Sequence, residues 1–260
     1  MLGIGLSGFA IRAKGLTISS TPPHSPYSFQ HPYVSAHNRA RIVSVLLIVS
    51  AVLSFASIPV SILPVFFSDI VSDEEISDPE TLVVALLQVS LGLIQIVIYL
   101  ATIIAFLMWL YRSCENLPSF GVRRNTIKYS SGWAVGSFFI PLVSLVVPYR
   151  AVKELWNKSL PNSGDMFSDG PPGFFPLWWG VWLVSNFANQ IYLRLSWRGE
   201  LEPDVEATLG VLTGILDILA AVLALMVIRE IDRQQTETAK LVRGDVKSPY
   251  PPPPPVLDAA

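Results

Sequence analysis

The chain has 260 residues, 51% of them hydrophobic and 15% charged, with a formal net charge of −2. Water-soluble domains carry about 25% charged residues, so an ordinary soluble domain is excluded, and the near-neutral balance argues against nucleic acid as a partner. Cys114 is the single cysteine, which leaves no intrachain disulfide and no cysteine-based zinc site.

Residues 1–38 are rich in Ser, Pro, His and Gly (TPPHSPYSFQHPY) and carry no helical or strand period. That composition predicts a flexible N-terminal arm. His24, His31 and His37 are scattered along it, so no metal site is expected there. Arg12 and Lys14 follow the apolar residues of 1–20 rather than precede them, and no cleavable signal is expected.

A transmembrane domain is expected over 39–230, with a mean hydropathy of +0.49 for the whole chain. The first span, about 42–67, is uncharged, and Pro59 and Pro64 are expected to kink its far end. An acidic loop, DIVSDEEISDPE, separates it from a second uncharged span at about 82–111. Thirty residues of helix reach about 45 Å, more than a hydrocarbon core of about 30 Å, so this span must tilt or project. The apolar segment 133–148 is shorter and carries Pro141 near its middle. After it, Val152, Leu155 and Trp156 alternate at helical spacing with Arg150, Lys153 and Glu154, the pattern of an interfacial helix. Two further spans are expected at about 174–193, opening with Trp178, Trp179 and Trp182, and at about 207–228. Residues 231–260 are expected to form a cytoplasmic tail, first charged with helical propensity and then Pro-rich (YPPPPPV).

Positive charge discriminates between topologies. If 133–148 crossed the membrane, Lys and Arg would divide almost evenly between the two faces. If it enters and leaves by one face, 16 of the 18 share the side of the termini, and only Arg194 and Arg198 lie opposite. The expected fold is therefore an all-α integral membrane protein. It is a four-span helix bundle with a re-entrant or interfacial helical element at 133–156 and both termini cytoplasmic.

Two groups of residues are candidate sites. Ser50, Ser54, Ser57 and Ser61, then Gln88, Gly92, Gln95, Tyr99 and Thr102, and then Gly210, Gly214 and Asp217 each recur at helical spacing within a span. Such stripes are read first as packing and hydrogen-bonding seams, with Gly210-x-x-x-Gly214 as a close-packed face. The alternative is a buried polar or ion site formed by Asp217, Gln88, Gln95, Asn186, Asn189 and Gln190, because Asp217 is the one ionisable residue deep in a span. The second group is a cytoplasmic docking or lipid-headgroup surface of Arg112, Glu115, Asn116, Arg123, Arg124, Arg150, Lys153, Glu154 and Trp156. Cys114, at the membrane boundary, is read as an inert thiol before a palmitoylation site. The Pro-rich tail is a flexible end or a polyproline II ligand for a cytoplasmic protein.

Several strings occur in a distinctive order: Tyr33-Val-Ser35 with Arg39-Ala40, then Trp109-Leu-Tyr-Arg112 with Asn116-Leu117. Trp133-Ala-Val, Phe139-Ile-Pro141, Pro148, Glu154-Leu-Trp156 and Trp178-Trp179 follow. Together, over about 33–229, they resemble the bacterial membrane domain designated DUF4328. The resemblance implies a multi-span bacterial membrane protein and supplies no activity, cofactor or catalytic residue.

The expected function is that of a non-enzymatic scaffold or a lipid- or partner-docking protein of the inner (plasma) membrane, without cofactor. The alternative is a small transporter or ion-conducting protein that uses Asp217 and the amide stripes. An enzyme is not expected, because no metal-ligand spacing, nucleophile elbow or phosphate loop occurs. Oligomeric state is left open.

Overall fold

The computed structural model describes residues 32–68, 79–159, 170–199 and 201–243. The arm before residue 32, most of the acidic loop, the PNSGD loop and the Pro-rich tail lie outside them. Among the described residues there are six α-helices and no strand. They are α1 (His37–Ser68), α2 (Pro79–Glu115), α3 (Ser131–Gly136), α4 (Val147–Ser159), α5 (Phe174–Arg198) and α6 (Pro203–Arg243).

Three stretches among the described residues are long and apolar enough to cross a membrane: His37–Leu63, Ala85–Phe120 and Pro203–Arg243. The 25 residues of α5 also suffice in length, about 37 Å. Asn186, Asn189, Gln190 and Arg194 leave this helix without an apolar window to match those of the other three. α1 packs on both α2 and α6, and α5 packs on α6. The α1–α6 approach is close because of two glycines. A Cβ on Gly210 would lie 3.0 Å from the Ser61 Cβ, and one on Gly214 would lie 3.0 Å from Ile58 Cγ1. The expected small-residue face is thus the α1 contact.

α1 continues as helix through Pro59 and Pro64. Proline lacks the N–H that would bond the carbonyl four residues back, so Pro64 frees the carbonyl of Val60. Gln88 on α2 donates its Nε2 to that oxygen at 3.3 Å. A neighbouring helix thereby repairs the gap, as the bilayer requires.

The bundle has two unlike ends. Along the shaft the helices carry large apolar side chains outward, among them Val52, Phe55, Leu93, Val97, Phe187 and Leu219. Most of the buried core lies instead at one end, here termed the cap. It gathers Trp109, Leu110, Leu117, Val152, Leu155, Trp156, Phe175, Ile228 and Ile231. α6 reaches the cap because its 41 residues span about 60 Å, roughly twice the hydrocarbon thickness. Its last three turns bury Gln234, Gln235, Thr238, Ala239 and Val242, so this segment is packed helix rather than free tail. The start of α1 is tied to the same end: His37 Nδ1 lies 2.7 Å from Asp232 Oδ2, and Arg112 Nε donates to the Val34 carbonyl at 3.3 Å.

Segment 133–148 forms no continuous helix. α3 ends in a short 3-10 turn at Ser137–Phe139, a second follows at Val143–Leu145, and α4 then runs back against α3. The reversal places Leu142 at φ 66°, a conformation that costs a non-glycine residue about 1–3 kcal/mol. The Leu142 side chain is 80% exposed, and Phe139 beside it is 70% exposed. At the base of this hairpin the Glu154 carboxylate accepts the backbone N–H groups of Lys128 at 2.8 Å and Tyr129 at 2.9 Å. Lys158 pairs with Glu154 at 2.5 Å and donates to the Thr126 carbonyl. The chain therefore leaves and returns at one place. Trp179 Nε1 holds the turn from outside by donating to the Leu145 carbonyl at 2.8 Å.

Candidate functional site

Polar residues near the middle of the four long helices form a layer across them. On α2, Gln95 Nε2 donates to Ser54 Oγ of α1 at 2.9 Å. On α5, Asn189 Nδ2 donates to Asp217 Oδ1 of α6 at 2.8 Å, and the Ser185 hydroxyl donates to the same oxygen. Tyr99 on α2 donates its hydroxyl to Asn186 Oδ1 at 2.9 Å, while Asn186 Nδ2 donates to the Trp182 carbonyl at 2.7 Å. Four of the six residues anticipated as a polar site thus join this layer: Asp217, Gln95, Asn186 and Asn189. Gln88 instead repairs α1, and Gln190 is exposed and makes no hydrogen bond among the described residues.

Ser185 escaped the sequence reading, although it lies one turn before Asn189 and is buried against Asp217. A lone serine on an aromatic-rich helix carries no signal of its own; only the carboxylate of α6 facing it gives it a role.

The anticipated docking residues divide differently. Asn116 is 0% exposed and Trp156 7% exposed, so both belong to the interior of the cap rather than to its surface. Asn116 Nδ2 contacts Gln235 Oε1 at 3.4 Å, and Gln235 Nε2 donates to the Ser113 carbonyl at 2.9 Å and to Ser159 Oγ at 3.2 Å. Thr238 adds a bond to the Ser159 carbonyl at 2.7 Å. This buried network, which ties α2, α4 and α6 together, was also missed. Its sequence signal was the spacing of Gln235, Thr238 and Val242 within the charged segment. Glu115 accepts the Ser131 hydroxyl at the start of α3, Arg112 holds Val34, and Glu154 closes the hairpin base.

Arg123, Arg124, Arg150 and Lys153 do face outward. Arg150 and Lys153 share a depression of about 410 Å³ with Lys128, Tyr129, Glu154, Asn157 and Lys158. The one carboxylate there is consumed by Lys158 and two backbone donors. Lys128, Arg150 and Lys153 have no ion-pair partner among the described residues. The depression is therefore an unneutralised cationic surface beside an apolar hairpin. Cys114 is buried in the cap, which agrees with an inert thiol. No group of three or more His, Cys, Asp or Glu that could hold a metal occurs among the described residues.

A family model described as a domain of unknown function, DUF4328, matches residues 73–233. No curated protein and no solved structure matches the chain. The match covers part of the acidic loop, α2, the hairpin, α5 and most of α6; it takes in the basic depression and the polar layer apart from Ser54 of α1. The chain belongs to the DUF4328 family.

Proposed function

We propose that this chain is a four-span, non-enzymatic protein of the bacterial inner membrane that holds anionic phospholipid headgroups at its cytoplasmic face. In this reading α1, α2, α5 and α6 cross the bilayer and both termini are cytoplasmic. The α3–α4 hairpin dips its apolar tip into the inner leaflet. Glu154 joining the two ends of the hairpin supports this topology, as does the division of charge that leaves only Arg194 and Arg198 opposite.

The observation that carries the proposal is the cationic set Lys128, Arg150 and Lys153, unpaired at the base of a hairpin whose tip exposes Phe139 and Leu142. Apolar residues that enter lipid bring the cations to headgroup depth. Each contributes about 1 kcal/mol near an anionic surface, so three of them favour anionic lipid by about 100-fold. Partner recruitment through the Pro-rich tail would add to this role, which is that of a scaffold.

The test is native mass spectrometry of the full chain released from membranes, titrated with phosphatidylglycerol and with phosphatidylcholine. Phosphatidylglycerol should be retained selectively, and the Lys128→Gln/Arg150→Gln/Lys153→Gln variant should lose about 100-fold in its affinity. Equal retention of the two lipids, or a variant that binds like the parent, would overturn the proposal.

A further inference from the structure

We propose that Asp217 is the proton-binding group of a site at the middle of the membrane, which exchanges its proton with solvent through the gap between α2 and α5. This inference rests on the four helices crossing the bilayer and not on the lipid-binding face.

The polar layer lies close to the midpoint of every crossing helix. Ser54 is central in α1, Gln95 in α2, Ser185 and Asn189 in α5, and Asp217 in the part of α6 that precedes the cap. Packing alone does not need an acid here, because serine and amide side chains already supply bonds between neighbouring helices. Asp217 is the only charged side chain within 42–67, 82–111, 174–193 and 207–228, and no Lys, Arg or His occurs in those stretches. Its charge therefore has no counter-ion from the spans, and an unpaired carboxylate is costly at that depth. The compensating cation must come from outside the chain. Both donors, from Ser185 and Asn189, fall on Oδ1, so Oδ2 is the atom free to carry it. A proton needs no further ligands. A metal ion would need several, and the spans offer no second carboxylate.

The titratable groups around Asp217 are few. Tyr99 lies near it on α2, its hydroxyl bonded to Asn186, and Tyr192 lies on α5, its hydroxyl 3.7 Å from where a Gly210 Cβ would sit. α1 contributes none within 42–67, and α6 none besides Asp217 within 207–228.

Access follows from how the helices pair. α2 packs on α1 and α5 on α6, whereas α2 and α5 meet through side chains such as the Tyr99–Asn186 hydrogen bond. Toward the cap the gap is stopped by aromatic rings: Phe106 and Trp178 lie 6.2 Å apart, and Phe138 and Trp182 6.4 Å apart. Away from the cap the exposed side chains of Gln190 and Arg194 lead along α5 to its far end. They follow Asn186 at four-residue spacing, so a polar stripe runs from the layer toward the face opposite the termini.

The test is infrared spectroscopy of the full chain in liposomes, read at the carbonyl stretching band of a protonated carboxyl group. The expected result is such a band in the wild type that shifts in heavy water, disappears reversibly as the bulk pH is raised, and is missing from Asp217→Asn. Should that variant not fold, carbodiimide labelling of the wild type, located by mass spectrometry, assigns the band, with modification of Asp217 expected. A band that is absent, or one that neither shifts nor titrates, shows a sealed structural hydrogen bond and overturns the proposal. Loss of phosphatidylglycerol selectivity would leave this band untouched, so the two proposals fail separately.

Discussion

Glu154 shows how a residue can be noticed for one reason and matter for another. Its place among Arg150, Lys153 and Lys158 marks it as part of a charged surface. Its two oxygens in fact take two backbone N–H groups and one ammonium, which fixes the ends of the hairpin side by side. With the Glu154 side chain only 12% exposed and Lys158 19% exposed, removal of the carboxylate leaves a nearly buried cation and two orphaned donors. Glu154→Ala should therefore cost about 3 kcal/mol. Hydrogen exchange at the Lys128 and Tyr129 amides should accelerate by about 100-fold if the hairpin opens locally. Unchanged exchange at those amides would mean that the base is held by packing alone. Gln88 has a similar history. Its polarity within an apolar span was legible, but the carbonyl freed by Pro64, 24 positions earlier in the chain, could be found only by bringing α1 against α2.

Among the elements, α6 departs most from its sequence. An apolar run followed by REIDRQQTETAKLVR reads as a span and a solvated tail, since charge dominates the composition after Ile228. Folding keeps the helix going to Arg243 and turns Ile231, Gln235, Thr238 and Val242 inward, against α2 and α4. The exposed charges of Arg233 and Glu237 occupy the other side, where Arg233 pairs with both Glu230 and Glu237. A chain ending at Arg229 should accordingly lose the cap while retaining its spans. Cys114, buried in the intact cap, should then react with a maleimide in the truncated protein and stay unreactive in the full chain. A thiol shielded in both would show that the last turns of α6 are dispensable to the cap. The hairpin is the complementary case. Pro141 and the short length of 133–148 already argue against a straight span, and the positive φ of Leu142 gives the location of the reversal.

At the scale of the molecule, the topology proposed here makes one demand that no local feature makes. The loop between α4 and α5 must share a compartment with both termini. A cysteine placed at Asn162, with Cys114 replaced by serine, should be modified by an impermeant maleimide only after cells are opened. Labelling of intact cells would put that loop outside and remove the basic face from the cytoplasmic leaflet. Hydrophobicity by itself determined that the chain is helical and carries helices long and apolar enough to cross a membrane, because length and apolar content depend on residue type and order alone. Which polar side chains meet did not follow from them. Asn189 and Ser185 with Asp217, Gln95 with Ser54, and Asn116 with Gln235 are contacts between separate helices. Helical period gives the face a residue occupies but not the neighbour that face receives, and that choice was made by the close approach of α1 and α6 at Gly210 and Gly214 and by the folding back of the hairpin.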